Sequence, residues 1–371
     1  MHVVIVGAGA AGLAVAATLR RRGVDCVVLE RAGDVGSSWQ NRYDSLRLHT
    51  ARWLSGLPGS PIPRAAGKWV RRDDLVDYLR SYARRHDISI EFEVTVKRID
   101  RTESGWRIST SVGQRDAEAV VVATGYSREP LLPSWSGLNE FDRPLIHSTN
   151  YREPWGYADK HVLVVGAGNS GAEIACDLVP AAARVSLAVR TPPNIVRRDI
   201  LGVPSQLLGV LLRHVPESLM NPLTRWLRRV SIPDLSQFGL SAPSKQGYTQ
   251  FLRTRTVPIL DHGFVSMVKD RRIEIVAAVD HLSSDTVNLE DGTELQPDVV
   301  ISATGFRPAL DEMVGHLGVL DAGGTPLVHG AHTLPGAPDL YFVGVTVLLA
   351  GLLREIGREA RAVGRAIAAT G

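Results

Sequence analysis

The chain has 371 residues, of which 44% are hydrophobic and 22% charged, and its formal net charge is +3. This length exceeds that of a usual single domain, so we expect two domains with sizeable cores. Because the charge is nearly neutral and the basic residues form no long tract interleaved with aromatics, nucleic acid is not expected as a partner. No apolar run is long enough to span a bilayer and no signal peptide is predicted, so the expected location is the cytoplasm.

The first predicted elements are an apolar strand, a glycine-rich turn and an alanine-rich helix. The turn carries the residues predicted to hold a dinucleotide: Gly7, Gly9, Ala10, Ala11 and Gly12. Such a turn lets the backbone approach a pyrophosphate, and the helix that follows offers unpaired N–H groups and a positive dipole. A second strand ends at Glu30, an acid that can accept a hydrogen bond from a ribose hydroxyl. The acid favours an adenosine without a 2′-phosphate, so we predict FAD in this site.

A late strand in each half of the chain is followed by the same small-residue phrase, Ala-Thr-Gly. The apolar run 119–122 leads into the phrase at 123–125, and the run 299–302 leads into the phrase at 303–305. Small residues at a sheet end let the backbone pass close to a ligand, although an ordinary turn after a strand is the alternative. The residues predicted to line the cofactors there are Thr124, Gly125, Ala303, Thr304 and Gly305.

A second glycine fingerprint follows the apolar strand 162–165. Its predicted dinucleotide-binding residues are Gly166, Gly168, Asn169, Ser170 and Gly171. The next strand ends at Arg190 and Thr191, where a cation suits a 2′-phosphate, so we predict NADPH in this site. The alternative for both Glu30 and Arg190 is an ordinary surface charge at the end of a strand.

The two cysteines, Cys26 and Cys176, fall in a predicted strand and a predicted helix, where small buried residues are expected. We expect both to be structural. Because they form no Cys-x-x-Cys pair, the redox dithiol of a disulfide reductase is excluded. No metal site is predicted.

The repeated pattern predicts an NADPH domain inserted in an FAD domain. The first part of the FAD domain covers 1–155, the NADPH domain covers 156–305, and 306–371 returns to the FAD domain. Within the insert, 201–232 is predicted to form short helices covering the domain, rather than a membrane-surface helix or a substrate lid. Two further helices are predicted, one capped by Asp73 and one over 352–368 that closes the chain. Membrane contact is not favoured.

The segment 141–151 joins the two nucleotide-binding patterns and places Phe141, His147 and Tyr151 at the spacing of a known signature. It resembles the Phe-x-Gly-x-x-x-His-x-x-x-(Tyr/Trp) signature of class B flavin monooxygenases, which include the flavin-containing and Baeyer–Villiger enzymes. Arg143 stands where the signature has glycine. The phrases that also resemble this family, and within it the auxin-forming YUCCA group and its bacterial relatives, include Gly36-Ser37-Ser38-Trp39, Tyr43–Thr50 and Gly168–Glu173.

The resemblance implies an α/β fold with two Rossmann-like dinucleotide-binding domains and an FAD-dependent NADPH monooxygenase. In this family NADPH reduces the flavin, oxygen adds at flavin C4a, and the retained NADP shelters the resulting hydroperoxide from water. The expected partners are a small-molecule substrate and molecular oxygen. The resemblance further implies flavin contacts at Arg31, Ser38, Trp39 and His49.

Two residues are predicted to be catalytic, His49 and Asn169. The auxin-forming group resembles this chain in carrying His at the position of His49, whereas animal and yeast relatives carry Asn, and either ring nitrogen could donate toward the peroxide or hold an ordered water. A structural histidine is the alternative. Asn169 is expected to cap the second nucleotide helix, and its family match implies that it also faces flavin or nicotinamide. His147 is expected in the domain linker, where it stabilises the hinge or packs with Tyr151.

Two other functions fit the doubled nucleotide pattern. One is a reductase that passes NADPH electrons through FAD to a ferredoxin-like protein, although such reductases lack the 141–151 signature. The other is a flavin-bound redox sensor without catalysis. The sequence leaves open whether a sulfur, a nitrogen or a carbonyl carbon is oxygenated, with an aryl keto acid as the narrower alternative. It also leaves open the oligomeric state, a homodimer being one alternative.

Overall fold

The computed structural model describes residues 2–200, 202–211, 232–243, 257–345 and 351–370, and most of the predicted insertion at 201–232 lies outside them. The chain divides into two compact units. Unit 1 comprises Met1–Asn41, Thr50–Glu129 and Phe306–Gly371, and unit 2 comprises Arg42–His49 and Pro130–Gly305.

Unit 1 is built on a parallel sheet of five described strands. The residues Val3, Val4 and Ile5 are fully buried, as expected for the central strand of a sheet that is covered on both faces. In spatial order the strands are Leu340–Phe342, Ala119–Val122, His2–Val6, Asp25–Leu29 and Ile90–Glu91. An antiparallel sheet packs beside it, formed by Val96–Thr102, Gly105–Thr110 and Gly113–Ala117.

The helices of unit 1 include the two that were predicted at its ends. The first nucleotide helix spans Ala10–Arg20 and contacts the closing helix, Leu352–Thr370, which confirms the predicted closing helix. Asp73 is not a cap, because Arg71 holds the cap position and the Asp73 carboxylate instead accepts from Arg72. The remaining helical segments of the unit are Ser37–Gln40, Arg52–Leu54, Arg64–Ala66, Arg72–Arg85, Asp311–Val314 and Gly315–Leu317.

Unit 2 repeats the same plan. Its parallel sheet has the spatial order Glu274–Val276, Arg184–Ala188, His161–Val165, Val299–Ser302 and Leu145–His147. In both units the late strand with the small-residue phrase lies directly beside the strand that enters the glycine turn. The second nucleotide helix, Asn169–Leu178, follows that turn, and an antiparallel sheet is formed by Val279–Ser283, Thr286–Leu289 and Glu294–Leu295.

The other described parts of unit 2 are short segments. The paired strands are Ile195–Arg197 with Ile259–Asp261 and Asp199–Ile200 with Val203–Pro204. The helical segments are Leu138–Glu140, Trp155–Tyr157, Ser205–Leu211, Ser236–Phe238 and Phe264–Lys269. The short strands Glu129–Pro130 and Phe306–Arg307 pair with each other. In the part of the chain that the structure describes, no helix is long and apolar enough to cross a membrane.

Candidate functional site

The first glycine turn is enforced by backbone contacts. Gly7 has φ +105°, and a Cβ placed on it would lie 2.9 Å from the carbonyl oxygen of Ala123, in the small-residue phrase of the neighbouring strand. A Cβ on Gly12 would overlap the carbonyl oxygen of Gly7. By contrast, a Cβ on Gly9 would meet no atom within 4 Å. Gly7 and Gly12 are therefore required by the fold, whereas Gly9 keeps open the space that a pyrophosphate needs.

Glu30 is a buried part of this turn, with 5% of the residue exposed. One carboxylate oxygen accepts from the backbone N–H of Ala8 at 2.6 Å, and the other accepts from that of Ala32 at 3.0 Å. The alternative of an ordinary surface charge is therefore wrong for Glu30. The oxygen that faces Ala32 also accepts from the Ser37 hydroxyl at 3.5 Å, whereas the oxygen that faces Ala8 has a second lone pair that can still accept from a ribose hydroxyl.

Other predicted flavin contacts surround the same turn. The N–H of Gly36 donates to the carbonyl of Ala8 at 3.0 Å, which ties the short helix Ser37–Gln40, with Ser38 and Trp39, to the turn. Arg31 is exposed and donates to the carbonyl of Arg128 at 3.4 Å. Within the described residues, the buried hydroxyl oxygen of Thr124 has no hydrogen-bond partner. A buried polar atom without a partner fits a site completed by a bound ligand, as FAD would require.

The second turn repeats this geometry in unit 2. Gly166 has φ +109°, and its Cβ would lie 2.7 Å from the carbonyl oxygen of Ala303. A Cβ on Gly171 would overlap the carbonyl oxygen of Gly166, whereas one on Gly168 would meet no atom within 4 Å. A pyrophosphate fits this second turn for the same reasons as the first.

The second turn differs from the first in the side chains around it. Arg190 and Thr191, which follow the strand Arg184–Ala188, are exposed rather than buried. The Thr304 hydroxyl has a partner, since it donates to the carbonyl of Leu131. The carbonyl of Gly305 accepts from Leu131 and from His147. The phrase 303–305 is therefore held by the fold of unit 2 itself.

His49 lies against the second nucleotide helix. Its Nε2 is 3.0 Å from Oε1 of Glu173, and Nε2 of His262 is 3.6 Å from the same oxygen. The phenol of Tyr43 donates to the other carboxylate oxygen of Glu173 at 2.6 Å. In the described part of the chain, the buried Nδ1 of His49 has no hydrogen-bond partner. We call these four residues, Tyr43, His49, Glu173 and His262, the Glu173 cluster.

Electrostatics keep this cluster charged. Burial by itself raises the pKa of Glu173, but the charges of the neighbouring imidazoles of His49 and His262 and the hydrogen bond from Tyr43 outweigh burial and hold that pKa far below its usual range. Burial and the neighbouring Glu173 charge raise the pKa of Tyr43 well above its usual value, so its phenol remains a donor. At neutral pH the cluster therefore holds a carboxylate anion that faces two imidazoles.

Asn169 begins the second nucleotide helix but does not cap it. Gly168 occupies the cap position, so the predicted cap is wrong. The Asn169 amide instead donates to the carbonyl of Pro258 at 3.0 Å and accepts from the N–H of Leu260 at 2.9 Å. These two bonds fix the segment that leads to His262. The structure thus brings both predicted catalytic residues to the same helix: His49 contacts its residue Glu173, and Asn169 is its first residue.

His147 and Arg143 lie in the segment that resembles the family signature. His147 is in a strand of the unit 2 sheet with 5% exposed, and it accepts from the Thr149 N–H at Nδ1 and donates to the Gly305 carbonyl at Nε2. Burial lowers the pKa of His147, so the ring is neutral. Arg143 forms an exposed ion pair with Asp285 at 3.3 Å.

Sequence reasoning missed three members of the Glu173 cluster. Tyr43 and Glu173 both lie inside phrases that carry the family resemblance, so a signal was present, but nothing in the sequence pairs them with His49. His262 lies in no motif. Its position follows from the bonds between Asn169 and the segment 258–260, which only the fold reveals.

Comparison with known proteins identifies the family. Residues 4–200, more than half of the chain, match the model of the pyridine nucleotide-disulphide oxidoreductase family. A probable indole-3-pyruvate monooxygenase, YUCCA9 of Arabidopsis thaliana, is 35% identical over 92% of this chain and 84% of its own. The indole-3-pyruvate monooxygenase YUCCA1 of Oryza sativa subsp. japonica is 34% identical over 92% and 86%. The chain belongs to this family, among its YUCCA-like flavin monooxygenases.

The fold comparison agrees with this membership. The solved flavin-containing monooxygenase from Stenotrophomonas maltophilia has a TM-score of 0.75 and 25% identity, covering 100% of this chain and 98% of its own. The predicted α/β fold with two Rossmann-like domains is confirmed, as is an FAD-dependent, NADPH-using monooxygenase. The electron-transfer reductase is not favoured. Burial raises the pKa of the Cys26 thiol to about 11 and that of Cys176 to about 12, which suits structural rather than redox cysteines.

Proposed function

We propose that the first glycine turn of this flavin monooxygenase binds FAD and that the second binds NADPH. The buried Glu30 supports this assignment, because an acid at that position would repel a 2′-phosphate and accept from a ribose hydroxyl. The exposed Arg190 at the corresponding position of the second copy suits a 2′-phosphate. The remaining predicted contacts of both cofactors belong to this proposal.

We further propose that the substrate is a small organic molecule oxygenated at a sulfur, nitrogen or carbonyl centre, and more narrowly an aryl 2-oxo acid. The observation that carries the narrower proposal is the 35% identity over 92% of the chain to a relative named for indole-3-pyruvate. Bound flavin would supply the oxygen chemistry through a C4a-hydroperoxide. The protein's own contribution would be to bind and orient both cofactors, exclude water and hold a proton at His49.

A substrate screen tests this function. The purified holoenzyme is given NADPH and one candidate from each class: indole-3-pyruvate, phenylpyruvate, an aryl methyl sulfide, a tertiary amine and a cyclic ketone. NADPH oxidation, hydrogen peroxide and oxygenated product are measured in parallel. An aryl 2-oxo acid should accelerate NADPH oxidation and give product with little peroxide. If no candidate lowers the peroxide fraction, the proposed substrate class is wrong.

His49 is predicted to control how much oxygen reaches product. The variant His49→Ala should retain bound FAD and oxidise NADPH, but release mainly hydrogen peroxide, because the group expected to stabilise the oxygen adduct is gone. The control is His281→Ala, since the side chain of His281, in the same unit, is 45% exposed and pairs with Asp280. Coupling equal to that of the wild type would remove His49 from the mechanism.

A further inference from the structure

The first nucleotide helix and the closing helix of unit 1 lie side by side with their N-termini at the same end. A Cβ placed on Gly344 would lie 2.9 Å from Cβ of Ala11 and 3.4 Å from Cγ1 of Ile356, near the start of each helix. Further along both helices, a Cβ on Gly364 would overlap the side chain of Thr18. The two helices are therefore parallel, and the closing helix begins beside the first glycine turn.

Arg354 lies in the first turn of the closing helix and is half-buried. Helix side chains lean toward the N-terminus of their helix, so this side chain is directed toward the end that lies beside the glycine turn. Within the part of the chain that the structure describes, its Nε is buried without a hydrogen-bond partner and no acid pairs with it. A guanidinium in this setting is available to a bound anion.

The two acids of the closing helix both have other partners. Glu355, with 5% of the residue exposed, pairs with Arg358 at 2.8 Å. The carboxylate of Glu359 accepts from the N–H of Gly344 at 2.9 Å. The charge of Arg354 is therefore not used to neutralise an acid of its own helix.

A second buried polar atom without a partner lies at the same end of the unit 1 sheet. Thr124 follows the strand Ala119–Val122, which pairs with the strand that enters the first glycine turn. Among the described residues, its hydroxyl oxygen has no hydrogen-bond partner. Two such atoms at one end of a sheet fit a single ligand that carries both anionic and polar groups, and FAD is a ligand of this kind.

We propose that Arg354 supplies a positive charge to an anionic group of bound FAD, a proposal that rests on the assignment of FAD to the first glycine turn. FAD offers two such groups. The diphosphate is anionic in every redox state. The flavin ring is neutral when oxidised, and a hydride from NADPH, which brings one proton and two electrons and leaves NADP, gives the ring one negative charge until a further proton is taken up.

The two groups predict different binding data. A contact with the diphosphate strengthens the binding of oxidised and reduced FAD equally. A contact with the ring strengthens the binding of reduced FAD alone, and the ratio of the two dissociation constants then sets the reduction potential of bound flavin relative to free FAD. A charge-assisted contact of arginine is typically worth about 10-fold or more in affinity. For a two-electron couple, a 10-fold change in this ratio equals about 30 mV.

The test compares Arg354→Gln with the wild type. The cofactor-free protein is titrated with oxidised FAD in air and with reduced FAD under nitrogen, and the reduction potential of the bound flavin is measured against a reference dye. If the ring is the partner, the dissociation constant should rise about 10-fold for reduced FAD alone, and the potential should fall by about 30 mV. If the diphosphate is the partner, both dissociation constants should rise about 10-fold with the potential unchanged. Either result supports the contact and identifies the group.

Arg365→Gln is the matched control, because it removes the same charge from an exposed position on the same helix, about 16 Å farther from its start. It should leave both dissociation constants and the potential unchanged. Arg354→Lys keeps the charge and should restore part of the lost affinity or potential. Thermal unfolding of the cofactor-free protein should be the same for Arg354→Gln and the wild type, since no protein partner of Nε is lost.

Wild-type affinities for both forms of FAD together with a wild-type potential in Arg354→Gln would overturn the proposal. Equal effects from Arg365→Gln would also overturn it, because they would indicate a general effect of net charge. A lower unfolding temperature of cofactor-free Arg354→Gln would overturn it in favour of a structural role. The FAD assignment is judged separately, by titration of the wild type and of Gly9→Ala. If the wild type binds FAD and Gly9→Ala weakens that binding, the assignment stands even where Arg354 has no effect.

Discussion

The two glycine turns of this molecule share one backbone geometry, but the strand after each nucleotide helix leads to a different kind of side chain. In each turn, the first glycine has a positive φ and faces the alanine carbonyl of the neighbouring strand, at Gly7 with Ala123 and at Gly166 with Ala303. In each, the last glycine packs on the carbonyl of the first. Steric necessity therefore explains why the same fingerprint occurs twice.

The residue at the end of the second strand separates the copies. Glu30 is buried and accepts from the Ala8 and Ala32 backbone, so it serves the fold as well as a ligand. Arg190 is exposed and can be changed without opening the core. The comparison predicts that a change at Glu30 damages both folding and FAD binding, whereas a change at Arg190 alters only coenzyme choice.

The largest effect on stability is expected at the last glycine of the first turn, which packs against the backbone carbonyl of the first glycine. Gly12→Ala would place a methyl group against the Gly7 carbonyl, and we expect loss of FAD and destabilisation by about 3 kcal/mol or more, at the upper end of overpacking. Gly171→Ala should instead leave the protein yellow and reducible by dithionite, but not by NADPH. Absorbance, thermal unfolding and anaerobic reduction measure these outcomes.

The control for that pair is Gly9→Ala, where a methyl group would meet no protein atom within 4 Å. The thermal stability of the cofactor-free protein should be unchanged, while FAD affinity falls because the methyl group occupies the path of the pyrophosphate. Equal stability losses for Gly9→Ala and Gly12→Ala would contradict the steric account.

The next effect concerns the buried acid. In Glu30→Gln, the new amide group must place a donor against the N–H of Ala8 or of Ala32, so one buried donor loses its acceptor. We expect a loss of about 1 to 3 kcal/mol in the free energy of unfolding, together with weaker FAD binding. Urea unfolding of the cofactor-free protein separates the two effects. A wild-type midpoint would show that Glu30 serves only the ligand.

Sequence patterns predicted most of the fold, because each nucleotide unit is specified locally by a strand, a turn and a helix. The closing helix Leu352–Thr370 and the late strand that ends in the small-residue phrase of each unit were of this kind. The predicted helix caps were wrong. Asp73 instead accepts a hydrogen bond from Arg72, and Asn169 bonds to the backbone of the segment 258–260. The Glu173 cluster joins residues as far apart in the chain as Tyr43 and Glu173, which are separated by 130 positions, and local patterns carry no information about such contacts.

A smaller and more selective effect is expected at Arg190. Arg190→Ala should raise the KM for NADPH by about 10- to 150-fold, the equivalent of about 1.5 to 3 kcal/mol for a charge-assisted contact to phosphate. The KM for NADH should change little, because NADH has no 2′-phosphate. Steady-state kinetics with both coenzymes measures the ratio, and the adjacent Thr191→Ala serves as a comparison. Equal losses with NADPH and NADH would mean that Arg190 does not contact the 2′-phosphate.

The smallest effect is expected in the loop after Glu30, where Arg80 donates to Asp34 at 2.6 and 2.9 Å. These hydrogen bonds are the main cause that lowers the pKa of Asp34. A carboxyl whose pKa is lower in the folded state adds stability above its unfolded pKa, about 3.9, and loses it as the pH falls through the folded value. Both side chains are 39% exposed, so solvent screening limits the contribution to about 1 kcal/mol or less.

Asp34→Asn should therefore lower the free energy of unfolding slightly at pH 7, and the difference from the wild type should shrink as the pH is lowered toward 3. FAD affinity should stay within about twofold, since this pair ties the loop to the helix Arg72–Arg85 and not to the turn. Urea unfolding across this pH range gives the measurement. A stability difference that grows at low pH would contradict this account. So would a loss of FAD affinity as large as that of Glu30→Gln, because it would mean that the loop and the buried Glu30 act as one structural element. The contrast between a structural acid in the first copy and an exposed arginine in the second would then apply to the whole loop after Glu30.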